Sequence, residues 1–166
     1  MIEINSYILK PNHGKKTFKT YEDFINIKDS IGLLNLSGKV DSFYLDGAIE
    51  IKYYDEIYLD INNWDLVDQL WSYILNIIEE YLESGCGEMN FPDSPNVIAM
   101  EKLYGNNLKF SIITDKKRTT VLNENIFLNI LLEKADEFFK AISVLMHYGN
   151  ESLCGQERIQ NIKKIL

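Results

Sequence analysis

The chain has few of the residues from which zinc sites, disulfide frameworks and thiol active sites are built. It contains two cysteines, two histidines and three prolines in 166 residues. Cys86 and Cys154 lie far apart and belong to no Cys-x-x-Cys pair, so we expect two reduced thiols. His13 and His147 have no cysteine or carboxylate at ligand spacing, so the sequence shows no zinc site. We therefore expect neither a metal nor a cofactor.

Long apolar runs are also missing. No stretch approaches the roughly 20 apolar residues that a membrane-spanning helix needs. The first residues, Met1-Ile2-Glu3-Ile4-Asn5, show no basic region followed by an apolar run, so no signal peptide is recognisable. These absences predict a cytoplasmic protein that is not inserted in a membrane.

Basic residues are nearly absent from the middle of the chain. Between Asp41 and Glu101 there are fourteen acidic residues and one base, Lys52, whereas both flanking segments carry a slight excess of bases. The whole chain has a formal net charge of −8. Nucleic acid and anionic membranes are disfavoured as partners because their phosphates need lysine and arginine nearby. A basic protein remains the best match to this charge.

Two short segments resemble catalytic motifs only in part. Ser84-Gly85-Cys86-Gly87 has the look of a nucleophile turn, but no base for Cys86 is identifiable and the preceding helix end disfavours a thiolate. The stretch from His13 to Thr17 lacks the upstream glycine and the strand-to-helix setting of a phosphate loop. We predict a structural turn for the first and a loop for the second.

Size and composition fit a single globular domain covering residues 1–166. Apolar alternation predicts a first strand through Ile2, Ile4 and Ile8. A hairpin turn is predicted at Asp46-Gly47. Further strands are predicted near 40–45, 48–54, 56–61, 88–91, 97–104, 108–114 and 119–122.

Apolar residues at spacings of three and four predict helices after residue 61. The first is predicted to begin at Asn62-Asn63 and to end at Gly85, and the second to begin near Asn123 or Asn125 and to end at Gly149. A weaker helix is predicted near 151–165. The order of elements predicts an α+β fold: a mostly antiparallel sheet, two main helices packed on one face and a short C-terminal helix.

The acidic middle segment supplies the candidate site. We expect its carboxylates and nearby tyrosines to form one face that binds a partner, because tyrosine beside charged residues is typical of protein interfaces. A solvated face without function and, less favoured, a metal or catalytic site are the alternatives; the calcium-loop spacing does not occur. The predicted partner-binding residues are Asp41, Asp46, Glu50, Asp55, Glu56, Asp60, Asp65, Asp68, Tyr54 and Tyr58.

The order of these pieces resembles a class of small bacterial proteins. The run from Asp46 to Ile51, the helix with Trp64 and Leu70-Trp71, the corner Phe91-Pro92-Asp93-Ser94-Pro95 and the helix with Ala135-Asp136-Glu137-Phe138-Phe139 follow each other as they do in cytosolic immunity-type proteins of polymorphic toxin systems. The similarity covers about residues 46–145. It implies a non-enzymatic protein that binds a toxin domain and blocks it.

The charge and the resemblance lead to the same first hypothesis: a non-enzymatic inhibitor of a basic toxin or effector domain. A small hydrolase or transferase that uses acidic residues with a divalent metal is the second hypothesis. A structural or regulatory oligomer that uses a sheet edge or the last helix is the third. The sequence does not distinguish a monomer from a homodimer.

Overall fold

The computed structural model describes residues 1–11, 19–145 and 150–166, and the side chains of 150–153 are not among the described parts. The fold is α+β with antiparallel sheets, as predicted. The strands divide into two sheets instead of the one expected. The first sheet contains β1 (Ile2–Leu9), β2 (Phe24–Asn26), β3 (Asp46–Tyr53), β4 (Glu56–Leu59) and the two-residue β5 (Asp65–Leu66). The second contains β6 (Cys86–Asn90), β7 (Val97–Leu103), β8 (Asn107–Ile113) and β9 (Lys117–Asn123).

Both sheets are antiparallel throughout the described pairings. The strand order is β2-β1-β3-β4 in the first sheet, with β5 beside the start of β3, and β6-β7-β8-β9 in the second. The described residues also form four α-helices: α1 (Ser30–Leu36), α2 (Val67–Ser84), α3 (Glu124–Ile142) and α4 (Asn150–Lys163). Short 3₁₀ turns occur at Tyr21–Asp23 and Ile61–Asn63.

One hydrophobic core joins the two sheets through the long helices. α2 packs on β3, β6 and β7, whereas α3 packs on β1 and β9. Trp71 is fully buried and donates from Nε1 to the Ser6 hydroxyl at 3.0 Å, which ties α2 to the first sheet. Phe127 packs edge-on against Phe110 with ring centres 4.8 Å apart, which ties α3 to the second. Burying each such side chain contributes roughly 1.5–3 kcal/mol before entropy is subtracted.

Capping residues set the ends of the helices. Gly85 caps α2 with φ +82°, a conformation that glycine adopts at little cost, and its N–H donates to the Tyr81 carbonyl. Asn123 caps α3 by accepting from the Ile126 N–H at 3.1 Å. The predicted start of α2 at Asn62-Asn63 is wrong, because Asp60 caps a separate 3₁₀ turn there and the helix begins at Val67.

Two further predictions fail between residues 30 and 50. The segment predicted as a strand near 40–45 is irregular, and the unpredicted α1 precedes it, capped by Asp29. Asp46-Gly47 is the beginning of β3 and not a hairpin turn. Gly47 is required for a different reason: a Cβ there would clash with the Tyr7 carbonyl oxygen on the neighbouring strand and with Val67. The hairpin turn lies instead at Tyr54-Asp55.

Candidate functional site

Burial separates the ten predicted site residues into two classes. Glu50, Asp65, Asp68 and Tyr58 are buried, with 2–7% of their surface exposed. Asp46 and Asp60 are half-buried, and only Asp41, Tyr54, Asp55 and Glu56 are exposed. The expectation that all ten share one accessible face is therefore corrected, because buried carboxylates offer little to a partner.

The predicted site residues that are exposed or half-buried also lie at distant places. Asp46 begins β3, and Tyr54 and Asp55 follow its last residue, Tyr53. At a rise of about 3.3 Å per residue, this strand separates its two ends by roughly 23 Å. Asp46 and the Tyr54-Asp55 pair therefore lie at opposite ends of one strand, and Glu50 lies between them.

Glu50 is a structural carboxylate that links three neighbours. It accepts from the Tyr7 hydroxyl at 3.3 Å and from the Tyr21 hydroxyl at 3.2 Å, and it pairs with the Lys52 ammonium at 2.5 Å. Burial and then the nearby Glu50 charge raise the pKa of both tyrosines. The hydrogen bond to Glu50 raises the pKa of Lys52. This network fastens the segment around Tyr21 onto the first sheet.

Several acidic residues lie near the Asp46 end of β3, but their side chains do not converge on one site. Burial raises the pKa of Asp46, and the charges of Asp65 and Asp93 raise it further, while Lys19 opposes them. In the ladder, Asp65 lies opposite Gly47, the residue after Asp46. Directly paired residues project their side chains from the same face of a sheet, and successive residues along a strand project theirs from alternate faces. The Asp46 and Asp65 side chains therefore project from opposite faces.

The Asp65 carboxylate binds backbone groups of its own chain. Its Oδ1 accepts from the backbone N–H groups of Leu66 at 2.8 Å and Asp93 at 2.9 Å, which fixes the corner at Asp93 beside the start of α2. Its Oδ2 is buried without a hydrogen-bond partner. Within residues 1–11, 19–145 and 154–166, no group of three histidine, cysteine or carboxylate side chains is placed to hold a metal ion.

The opposite end of β3 carries the most accessible part of the predicted site. We define the tip surface as Tyr54, Asp55, Glu56 and Ile57, at the turn between β3 and β4. Tyr54 is 71% exposed and Ile57 is 44% exposed. Both carboxylates are exposed, and the Glu56 carboxylate accepts from the Tyr58 hydroxyl at 3.1 Å. An aromatic ring, an aliphatic side chain and two acids thus share a short hairpin.

The backbone at Tyr54 is unusual. Its φ of +53° lies in the left-handed region, and Tyr54 is the one non-glycine residue with positive φ in the described part of the chain. That region costs an L-residue about 1–2 kcal/mol compared with its right-handed counterpart. The Tyr54 N–H donates to the Met1 carbonyl at 2.9 Å, and the Tyr54 ring stacks edge-on against Tyr53 at 4.7 Å. These contacts hold the residue where glycine or asparagine is commoner.

Acidic residues outside the predicted site are partly neutralised by bases from the last third of the chain. Arg158 pairs with Glu79 at 2.7 Å, and Lys109 pairs with Glu101 at 2.6 Å. Glu80 and Glu83 are exposed on α2. The negative charge that remains at the surface is therefore spread over several elements, and the tip surface is distinguished by the positive φ of its exposed aromatic residue more than by its charge.

The remaining candidate residues do not assemble a reactive centre in the described structure. Cys86 and Cys154 are free, exposed thiols. Cys154 borders a cavity of about 360 Å³ between the helices, which Asp68, Tyr73 and Phe139 also line. His13 and His147 lie outside the described residues, so the structure says nothing of the predictions made for them.

No protein-family model matches this chain, and no curated protein or solved structure is significantly similar to it. In the part of the chain that the structure describes, no helix is both long enough and apolar enough to cross a membrane.

Sequence reasoning selected Tyr54, Asp55 and Glu56 but missed Ile57 and the backbone conformation of Tyr54. A signal was present, because Tyr54-Asp55 lies between an alternating apolar and polar run, residues 49–53, and a second apolar run, residues 57–59. Tyrosine is disfavoured at positive φ, so the glycine in Asp46-Gly47 drew the turn prediction to the wrong place.

Proposed function

We propose that this chain is a non-enzymatic binding protein that inhibits a basic toxin or effector domain through the tip surface. The observation that carries the proposal is Tyr54, which is exposed, held at positive φ and followed by two exposed carboxylates, Asp55 and Glu56. Strained backbone that the surroundings maintain is a recurrent property of functional sites. The cytoplasmic location and the immunity-type role, which the sequence resemblance implies, belong to the same proposal.

The chemistry of the tip surface suits a cationic protein partner. Tyrosine supplies a large contact area with few rotatable bonds, and Ile57 extends the apolar part of the contact. Asp55 and Glu56 attract lysine or arginine from a distance, which raises the association rate at low salt. A hairpin tip can also enter a concave surface, and the active-site clefts of enzymes that act on nucleic acid are concave and basic.

The second hypothesis, an enzyme that uses a bound divalent metal, has less support. It needs several carboxylates on one pocket, and the described acidic residues are instead divided between the two ends of β3 and the helix surface. Glu50 and Asp65 are both buried. Glu50 binds tyrosines and a lysine of its own chain, and Asp65 binds backbone N–H groups of its own chain.

Co-expression tests the proposal. The probe is the C-terminal domain of the secreted toxin-like protein encoded beside this chain's gene, expressed in a host that it kills. We expect the wild-type chain to restore growth and the Tyr54→Ala/Ile57→Ala variant to fail at equal expression. The control is Tyr104→Ala, which removes a fully exposed tyrosine from another hairpin.

Two results would contradict the proposal for this pair of proteins. One is growth that the wild-type chain does not restore, together with no complex at low salt. The other is full rescue by the Tyr54→Ala/Ile57→Ala variant, which would move the binding site elsewhere on the chain.

A further inference from the structure

Each of the two described sheets has two edge strands. These four strands differ in length, in regularity and in what packs against them. An uncovered edge is a template for another strand, so proteins shorten it, bend it or cover it. β2 has three residues, β4 has four with a register shift beside it, and α2 packs against β6. β9 has seven residues in continuous register with β8, contains neither proline nor glycine, and carries its two charged residues, Lys117 and Arg118, at one end, so that residues 119–123 are uncharged. β8 and α3 pack against it, and the Tyr58 side chain of β4 forms a hydrogen bond with the Thr120 side chain.

The ladder shows which backbone groups of β9 face outward. The Glu124 N–H donates to the Asn106 carbonyl at 3.0 Å, one position beyond the pair Asn107–Asn123. Because hydrogen-bonded and non-bonded pairs alternate in an antiparallel ladder, the even-numbered residues of β9 bond to β8. Lys117, Thr119 and Val121 therefore direct their N–H and C=O groups away from the sheet. Their side chains are exposed, and Val121 is 52% exposed.

We propose that β9 pairs with the β9 strand of a second copy of this chain, about a two-fold axis at Thr120. This arrangement sets Thr119 opposite Val121 of the copy and Lys117 opposite Asn123 of the copy. Each of these pairs joins residues whose backbone groups face outward, so each makes two backbone hydrogen bonds. The result is one antiparallel sheet of eight strands. The proposal is independent of the inhibitory function proposed above.

Strand overlap selects this register. Thr120 is the middle residue of β9, so an axis there aligns all seven residues, whereas an axis at Thr119 or Val121 also pairs outward-facing residues but aligns five. With the axis at Thr120, no two like charges are directly opposite, and Thr120 meets Thr120 of the copy, a pairing that stabilises sheets. With the axis at Arg118, two arginines would be opposed. With the axis at Leu122, the strands would overlap over fewer residues and Thr120 would meet Glu124, which is buried in its own chain and paired with Lys102 at 3.1 Å.

The expected affinity is modest. One strand pair buries well under the roughly 800 Å² per partner of a standard interface. Each copy also has a formal net charge of −8, so the copies repel each other over a distance that salt shortens. We therefore expect a dimer whose population rises with both protein concentration and ionic strength.

Cross-linking tests the axis directly. Thr120→Cys is made in the full chain with Cys86→Ser and Cys154→Ser, which removes the two native thiols. Non-hydrogen-bonded partners have Cα atoms about 4.5 Å apart, within the range that a disulfide spans. Mild oxidation should give a covalent dimer of Thr120→Cys and little of the matched variant Thr119→Cys, whose counterpart across the axis is Val121. Equal cross-linking of the two variants would overturn the register.

Sedimentation equilibrium tests the dimer without a cross-link. The wild-type chain should shift toward twice the monomer mass as concentration and salt rise. Thr119→Glu/Val121→Glu should remain monomeric at concentrations where the wild type is half dimeric, because two pairs of like charges oppose each other. Thr119→Lys/Val121→Glu should regain the dimer through opposite charges.

Circular dichroism confirms that each variant is folded. A wild-type monomer at every concentration and salt level, or failure of the charge-swapped variant to dimerise, would overturn the proposal.

Discussion

The two ends of β3 are both acidic, but their carboxylates have different roles. At the Asp46 end, Asp65 is buried and bonded to backbone N–H groups, and Asp46 is half-buried near Lys19. At the Tyr53 end, Asp55 and Glu56 are exposed beside an exposed aromatic ring. A high density of acidic residues along a sequence therefore does not define an acidic surface. Burial divides it into a part that holds the fold and a part that is available to a partner.

The largest expected effect lies between the two ends. Glu50→Ala should lower the free energy of unfolding by about 2–3 kcal/mol, because the Tyr7 and Tyr21 hydroxyls and the Lys52 ammonium lose their shared acceptor. Urea denaturation measures the change. The matched control Glu56→Ala removes an exposed carboxylate from the adjoining strand and should change stability by less than about 0.5 kcal/mol. Equal losses for the two variants would show that burial does not divide the acids as described.

The next effect distinguishes the Asp46 end from the tip. Asp65→Ala should cost about 1–2 kcal/mol, because the N–H groups of Leu66 and Asp93 lose a charged acceptor. Asp65→Asn keeps an acceptor oxygen at Oδ1 and should recover most of this stability. Thermal denaturation of both variants beside Asp55→Ala measures the difference. If Asp65→Ala is as stable as Asp55→Ala, the corner at Asp93 does not depend on this carboxylate.

At Asp46 we expect a substitution to increase the free energy of unfolding, by a smaller amount than the losses above. Its pKa is raised in the folded chain, so the ionised form is less favourable there than in the unfolded chain. Stability should therefore be penalised above the folded pKa and should recover as pH falls through it. Asp46→Asn should stabilise the chain at pH 7 by less than about 1 kcal/mol, and the advantage should shrink as pH is lowered toward the ordinary range of aspartate. An advantage that grows on acidification would contradict this assignment.

These comparisons also show what the sequence could and could not predict. The apolar periodicity of α2 and α3, the Gly85 end and the strands of the second sheet follow local rules, and the structure contains them. Glu50 was placed on a surface because strand alternation does not reveal that the segment around Tyr21 covers it. Tyr58 was misplaced because the sequence does not show that Phe110 of the second sheet packs against it. Asp65 was misjudged for a similar reason, since its partner Asp93 is distant in the sequence and only the fold brings the two together.

The tip itself should have the smallest effect on stability. Asp55→Asn/Glu56→Gln should leave the free energy of unfolding within about 0.5 kcal/mol of the wild type, because neither side chain is buried. Chemical denaturation checks this expectation. A loss above 1 kcal/mol would assign these two acids to the fold and would remove the contrast with Asp65.

The measurement that tests the central claim most directly is the association rate of this same variant with the basic toxin-like domain at low salt. We predict a rate at least several-fold slower for Asp55→Asn/Glu56→Gln than for the wild type, and a weaker dependence on ionic strength. The charge-matched control Glu80→Gln/Glu83→Gln, on the exposed side of α2, should associate at nearly the wild-type rate. Equal slowing of the two variants would mean that net charge alone matters, and an unchanged rate for the tip variant would contradict the account.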